Sequence, residues 1–490
     1  MHLSYEKKYK KYKNKYQILK SQLGGAKGTL RGGAKGTLRG GDCDPLPNPE
    51  ELDFKMIQNL LDLCPEERIT IQNKCYEVRG LYEWMIIRNH DRLPDTRTVI
   101  TPEDKRRLIQ AYEVLPLIPN ILTIDKLIQI YPNLQYESFL NLRNNGYTNI
   151  AQGTFGAQGT FGAPGTFGDY LPALTEINLD NNQIQELQPG IFNNLLNLQT
   201  LTLRNNHLQE LQPGVFDNLP RLHNLFLNNN QIQELQPGIF NNLPRLNELK
   251  LSYNKIRELQ PSILNNLLNL YNLYLDNNQI QVLQSNTFNN LPRLYHLFLN
   301  NNQIQEIQPS TFNNLPRLEQ LNLNNNQIQV LQFNIFNNLP RLYELHLNNS
   351  QIRELQPGIF NNLPRLQVLL LSNNQIRELQ SGIFNNLLTL ESLNLSNNQI
   401  SVLQHGIFNN LPGLTVLHLN NNQIQELQPG TFNNLPKFRY LYLNNNQIQE
   451  LQPGIFNNLP KLKNLFLSYN PIREYQRKSY YGLSSGTQIR

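Results

Sequence analysis

From Leu174 onwards the chain repeats one 24-residue unit without gaining or losing a residue. Successive units open at Leu174, Leu198, Leu222, Leu246, Leu270, Leu294, Leu318, Leu342, Leu366, Leu390, Leu414, Phe438 and Leu462. A fixed period of this size means a solenoid, in which every unit is one coil stacked on the last. The first unit reads Leu174-x-x-Ile177-x-Leu179-x-x-Asn182-x-Ile184-x-x-Leu187, followed by Phe192 and Leu195. Ile177 and Leu179 alternate with Asn178, which predicts a short strand with one buried face. The backbone must then turn, and an asparagine at that corner can bond the turning backbone of its own coil and its neighbour. Stacking would set Asn182, Asn206, Asn230, Asn254, Asn278, Asn302, Asn326, Asn374, Asn398, Asn422, Asn446 and Asn470 in a ladder, interrupted by Ser350. Ile184 and Leu187 turn inward, Pro189-Gly190 bends the chain, and Phe192 and Leu195 close the coil.

The pattern L-x-x-L-x-L-x-x-N-x-L, with its 24-residue spacing and a Phe at position 19, resembles the typical subclass of leucine-rich repeat. The resemblance implies an α/β solenoid, a horseshoe with a concave parallel β-sheet. Stability in such an array is a sum over neighbouring coils, because one coil alone buries too little apolar surface to offset the ordering of its backbone. The wealth of Asn and Gln also suggests a prion-like low-complexity tract. That reading fails because the polar residues never enter the apolar positions of the frame.

The remaining 173 residues divide by composition. Residues 1–23 predict a basic Tyr/Lys-rich helix, since Tyr5, Tyr9, Tyr12, Tyr16, Leu19 and Leu23 recur at spacings of three and four. It could dock on its own protein, pair with a partner helix, or touch membrane or nucleic acid through its basic face. The opening Tyr-Lys-Lys-Tyr-Lys-Asn-Lys-Tyr followed by Leu-Gly-Gly resembles the N-termini of mimivirus-like giant-virus proteins. Residues 24–41 repeat Gly-Gly-Ala-Lys-Gly-Thr-Leu-Arg and read as a glycine-rich linker, since no Gly-Lys-Ser/Thr follows for a phosphate loop. Residues 42–120 read as a small, mostly helical domain, with helices over Leu52–Leu63, Tyr76–Arg88 and Thr101–Tyr112. Within it, Tyr76-x5-Tyr82-x-Trp84, Leu93-Pro94-x-Thr96-Arg97 and Ile100-Thr101-Pro102-Glu103-Asp104 resemble the second half of a U-box. That resemblance implies a ubiquitin-ligase adaptor or ligase whose solenoid selects substrate, while a plain helical domain carries no such role. Residues 121–173 form an N-terminal cap and a degenerate first repeat, in which Leu140, Leu142, Asn145, Tyr147 and Ile150 keep the frame ahead of duplicated Ala-Gln-Gly-Thr-Phe-Gly hexapeptides. The array proper covers 174–475, and a basic C-terminal tail covers 476–490.

Formal net charge is a mild +6. No apolar run reaches the ~18 residues of a membrane span, and the charged N-terminus has no apolar core of a secretory signal. The three cysteines, Cys43, Cys64 and Cys75, form no cap pairs and no metal-ligand spacing, so the expected setting is intracellular, without a metal or cofactor. His296 and His346 sit two coils apart, roughly 10 Å, too far to share an ion.

Function falls on the sheet's outward positions. The fifth position varies from unit to unit and offers Phe226, Tyr274, Phe298 and His346; neighbouring positions add Tyr271, Tyr295, His296, Tyr343 and Glu344. Clustered exposed aromatics mark a protein-binding surface, although they can equally pack on one another along the sheet. The sequence contains no nucleophile–base pair in the array, so the expectation is a non-enzymatic scaffold, acting as a monomer, for a protein partner and not for a small-molecule substrate. Deleting Ala151–Gly162 removes two hexapeptides from a surface turn, which loops tolerate at small cost. Soluble yield and melting temperature are expected to stay near those of the intact chain; insoluble protein would show these residues to be structural.

Overall fold

The computed structural model describes residues 68–71, 74–77, 121–122, 126–127, 130–131, 136–150, 154, 171, 173–261 and 263–490. The chain divides into two units, Met1–Pro119 and Asn120–Arg490. In the first, Arg68–Ile71 pairs antiparallel with Lys74–Glu77. Tyr76 and Glu77, expected to open a helix, are therefore strand; the β-branched run Ile69-Thr70-Ile71 favours such pairing. Residues 1–67 and 78–120, which carry the expected helices, the linker and most of the U-box resemblance, lie outside the described residues.

The second unit is a parallel solenoid of about fourteen coils. Its main sheet has fifteen strands in sequence order, from Phe139–Asn141 and Glu176–Asn178 through one strand per coil to Asn464–Phe466 and Gln488–Ile489. Register follows the repeat: Leu249 stands opposite Leu225 on one side and Leu273 on the other. The degenerate first repeat is a coil, since Leu140, Leu142, Tyr147 and Ile150 are buried and Phe139–Asn141 pairs with Glu176–Asn178. On its open side Ile121–Leu122 pairs with Asn149–Ile150, and the Thr154 hydroxyl donates to the Leu122 carbonyl; Thr154 is buried, so at this residue the stretch Ala151–Gly162 is packed and not a free surface turn. One continuous apolar core runs from Leu122 to Leu483.

Each buried asparagine ties two coils together. The Asn206 amide nitrogen donates to the carbonyls of Leu179 (2.9 Å) and Leu203 (3.1 Å), while its oxygen accepts from the Ile184 amide (3.0 Å). The same three bonds recur at Asn374 with Leu347, Leu371 and Ile352. At the first rung Asn182 accepts from the amides of both Asn145 and Tyr147.

The side of the coil opposite the sheet carries turns, which corrects the α/β expectation of helices there. Gly190 has φ +75° and Asn194 φ +66°, and two left-handed residues so close together stop a helical ladder from propagating. The backbone closes by i→i+3 bonds instead, Ile191 to Gln188 and Asn193 to Gly190. Short strands such as Glu210–Leu211 and Glu234–Leu235 pair beside them. Phe192, Phe216 and Phe240 stack within this layer at 6.4–6.5 Å, and Phe288 through Phe456 stack at 5.8–6.5 Å. Rings on the sheet's outward face stack at only 4.3–4.8 Å. Coils spaced more closely on the sheet side curve the array so that the sheet lines its inner face.

Asparagine recurs through the array for a conformational reason. The residue before each ladder position is left-handed, with Asn181 at φ 55° and Asn205 at φ 55°, and asparagine tolerates that region better than other side-chain-bearing residues. Where a coil carries the Asn-Asn pair, it is one left-handed corner followed by one rung; Tyr253 and Tyr469 take the corner, and Ser350 the rung, in the others.

The tail is more than a basic terminus. Gln488–Ile489 pairs with Asn464–Phe466 in the same 24-residue register. Tyr481 and Leu483 are buried, and the Tyr481 carbonyl accepts from the Phe456 amide. The Thr487 hydroxyl donates to the Leu462 carbonyl at 2.9 Å.

Two substitutions probe this account. Ser350 stands at a rung but its hydroxyl has no hydrogen-bond partner. Ser350→Asn is expected to stabilise the array by about 1 kcal/mol, one net buried hydrogen bond, and a lower denaturation midpoint would contradict the ladder. Tyr253 occupies the left-handed corner at φ 55° and is exposed. Tyr253→Asn is expected to raise stability by roughly 1 kcal/mol, measured by the same denaturation; an unchanged midpoint would mean the tyrosine is not strained.

Candidate binding face

The outward residues of the sheet come from the second, third and fifth positions of each unit, where neighbouring coils hold them in register. Five of the expected residues form one aromatic cluster. Tyr271 and Tyr295 stack at 4.7 Å, and His296 meets both edge-on at 6.0 and 4.6 Å. Tyr274 and Phe298 stack at 4.8 Å, and His296 leans against Phe298 at 6.1 Å. The His296 ring is fixed by Asn272, with 2.7 Å between Nδ1 and Oδ1.

Tyr343, Glu344 and His346 lie two coils further along and join the cluster through polar residues. The Tyr295 hydroxyl donates to the Glu319 carboxylate, and Gln320 donates to Glu344 at 3.1 Å. Glu344 in turn meets His346 Nε2 at 3.2 Å. Its bond to Glu319 pushes the Tyr295 hydroxyl up to about 12, with burial and the negative charge adding to the effect. Burial holds the His346 imidazole below its usual range against the pull of Glu344. Of these opposing effects, desolvation is the larger. His296 is likewise lowered by burial, opposed by Glu319 and Glu344. Tyr271 and Tyr343 are the two most open rings of the group, 37% and 40% exposed.

Phe226 stands apart from the others. It is only 8% exposed, with the Arg204 guanidinium 4.4 Å and the Lys250 ammonium 4.8 Å from its ring centre. Lys250 also lies 4.9 Å from the Tyr274 ring and 3.1 Å from Glu248. Cations on the ring make it part of the sheet's own packing.

Glu319, His418, Tyr442 and Phe466 fall on outward positions of the repeat without being among the expected site residues; Glu319 bridges to the first cluster, and the other three form a second aromatic row near the far end. His418, Tyr442 and Phe466 stack at 4.3 Å each, and the Arg490 guanidinium lies 5.8 Å from Phe466. The signal was present: these four residues are the fifth positions of consecutive units, once the frame is carried past Tyr475. Among the described residues no group of histidine, cysteine and carboxylate side chains could hold a metal. Nor is any helix among them long and apolar enough to cross a membrane.

A family model described as Leucine rich repeat matches residues 172–232, 220–268, 268–328, 340–400, 388–448 and 439–489. No curated protein matches the chain in sequence. Among solved structures, a leucine-rich-repeat protein of Leptospira interrogans is similar at 26% identity and TM-score 0.52, covering 76% of this chain and 100% of its own. The ectodomain of the Arabidopsis thaliana receptor kinase GASSHO1/SCHENGEN3, solved with CASPARIAN STRIP INTEGRITY FACTOR 2, aligns at 24% identity and TM-score 0.50 over 68% of this chain and 44% of that one. The Toll–Spatzle complex of Drosophila aligns at 20% identity and TM-score 0.55, over 75% and 55% respectively. The last two likenesses are of fold.

Burial lowers the His418 pKa in the folded chain. On acidification the unfolded chain takes up the proton first, so stability falls as pH drops through the ordinary histidine range. His418→Phe keeps a ring in the row and removes the titration. Its stability gain over the parent is expected to be larger at about pH 5 than at about pH 7, measured by chemical denaturation; an equal difference at both would refute the burial effect.

Proposed function

The chain belongs to the leucine-rich-repeat family, and from that premise we propose that it is a non-enzymatic scaffold holding a protein partner on the inner face of its sheet. The observation that carries the reading is the exposure of Tyr271 and Tyr343 on a rigid sheet, flanked by Glu319, Gln320 and Glu344. Amphipathic rings surrounded by hydrogen-bonding groups suit the centre of a protein interface, where aromatic anchors contribute most. The coil register fixes these side chains before binding, which lowers the ordering cost of association. In the plant receptor and Toll structures, solenoids of this fold are in complex with protein ligands, which makes a protein the first class of ligand to test. The cysteine usage supports an intracellular setting.

The test uses Tyr271→Ser with Tyr343→Ser in the full chain. Both rings are among the most open on the face, so circular dichroism and melting are expected to stay near the parent's. Recovery of the main partner captured by the parent protein from its native cells is expected to fall by roughly tenfold or more, given at least 2 kcal/mol for central aromatic anchors. Capture at parental strength by the folded variant would remove the aromatic face from the interface.

A further inference from the structure

Charge on the inner face is unevenly distributed along the array. From the coil opening at Leu246 to that opening at Leu390 the outward positions include Glu248, Glu319, Glu344 and Glu391. From Leu414 to the last described strand they include no carboxylate side chain. There they present Arg439 and Lys463, both exposed, beside the row His418, Tyr442 and Phe466. Lys437 and Lys461, also exposed, lie two residues before Arg439 and Lys463, where the chain runs into the same two strands. None of these four cations forms an ion pair among the described residues. Strands ~4.8 Å apart concentrate four positive charges at one end of the sheet.

The rings decide what chemistry fits there. Tyr442 is stacked on His418 on one face and Phe466 on the other, both at 4.3 Å. Phe466 has Tyr442 on one side and the Arg490 guanidinium near its ring. A nucleic-acid base needs an open ring face to stack on, and the faces of Tyr442 are taken. What the row offers is ring edges, which carry positive partial charge, beside unpaired ammonium and guanidinium groups. Carboxylates carried on an extended chain match both.

We infer that the coils opening at Leu414, Phe438 and Leu462 form a second docking station, which takes an acidic peptide segment of a protein partner. The inference deepens the reading of the inner face as a protein-binding surface and rests on it. Alignment across the face is set by charge, with the partner's acidic stretch directed to the C-terminal coils and away from Glu319 and Glu344.

The probe is a fluorescein-labelled oligoglutamate of about ten residues, long enough at roughly 3.3 Å per residue to cross these strands. It is titrated against the full chain by fluorescence anisotropy. Saturable binding that weakens with added salt is expected. Arg439→Glu with Lys463→Glu is expected to weaken it by about tenfold or more, and Arg439→Gln with Lys463→Gln by less, each with unchanged circular dichroism. The charge-matched pair Arg293→Glu with Arg317→Glu, on the same edge of earlier coils, is expected to bind like the parent. Equal loss in the two glutamate pairs would show charge acting without a site and overturn the inference. So would parental binding by the Arg439/Lys463 variants, no binding by the parent, or tighter binding of an oligouridylate of equal charge. The Tyr271→Ser/Tyr343→Ser protein separates the two readings. If it loses the partner but binds oligoglutamate normally, both stations stand. If it keeps the partner, the aromatic centre fails while the peptide titration still decides the C-terminal station.

Discussion

The buried asparagine at each coil's corner is the constraint on which the rest of this molecule depends. A coil of this length presents backbone donors and acceptors that no helix or broad sheet satisfies, and an unpaired buried amide costs as much as the bond it lacks. Asparagine carries both an acceptor and donors on a short arm. At Asn206 it meets two carbonyls and one amide at once, one carbonyl and the amide belonging to the preceding coil. The side chain therefore joins neighbours as well as completing a turn. From Asn206 onward the bond to the preceding coil's carbonyl spans 27 residues, whereas at Asn182 it spans 40, so the rung keeps its partners even where the turn opposite the sheet is longer.

The same geometry produces the inner face. Stacked phenylalanines hold the outer layer at 5.8–6.5 Å, while the rings above the sheet come to 4.3–4.8 Å. Curvature therefore brings outward residues of adjacent strands into contact. Rings in register become stacks, and a cation beside them becomes a cover, as Lys250 does between Phe226 and Tyr274. Binding and self-packing compete for the same side chains on such a surface. Rings at the second position, Tyr271 and Tyr343, remain open, whereas Phe226 at the fifth position is nearly enclosed.

Much of this was legible in the sequence because a period constrains every residue that obeys it. Ile177, Leu179, Asn182 and Phe192 announce strand, rung and outer layer from spacing alone. Three features escaped for physical reasons. The turns opposite the sheet depend on left-handed backbone at Gly190 and Asn194, and hydrophobic spacing does not report the sign of φ. The last strand, Gln488–Ile489, carries only one apolar residue of the motif, so its identity shows in backbone pairing with Asn464–Phe466. The enclosure of Phe226 depends on Arg204, two positions further along its own unit than the ring, reaching back across the strands. In all three cases the missing information is three-dimensional: a dihedral sign, a pairing partner, a side-chain direction.

An array of near-identical coils separates the residues that build the fold from those free to vary. Apolar positions, left-handed corners and rungs are repeated because each coil must match its neighbours, and a change there is felt on both sides. The second, third and fifth positions meet that demand only at the level of strand pairing, so their side chains can differ from coil to coil. Tyr271, Glu319, Tyr343, Arg439 and Lys463 occupy equivalent second positions, yet they differ in charge, size and hydrogen bonding. Any recognition this surface performs is therefore written along the axis of the array, one coil at a time, on strands whose spacing is uniform. A partner that reads it must present its own groups along the same axis, and an extended segment crossing successive strands does so with the least rearrangement.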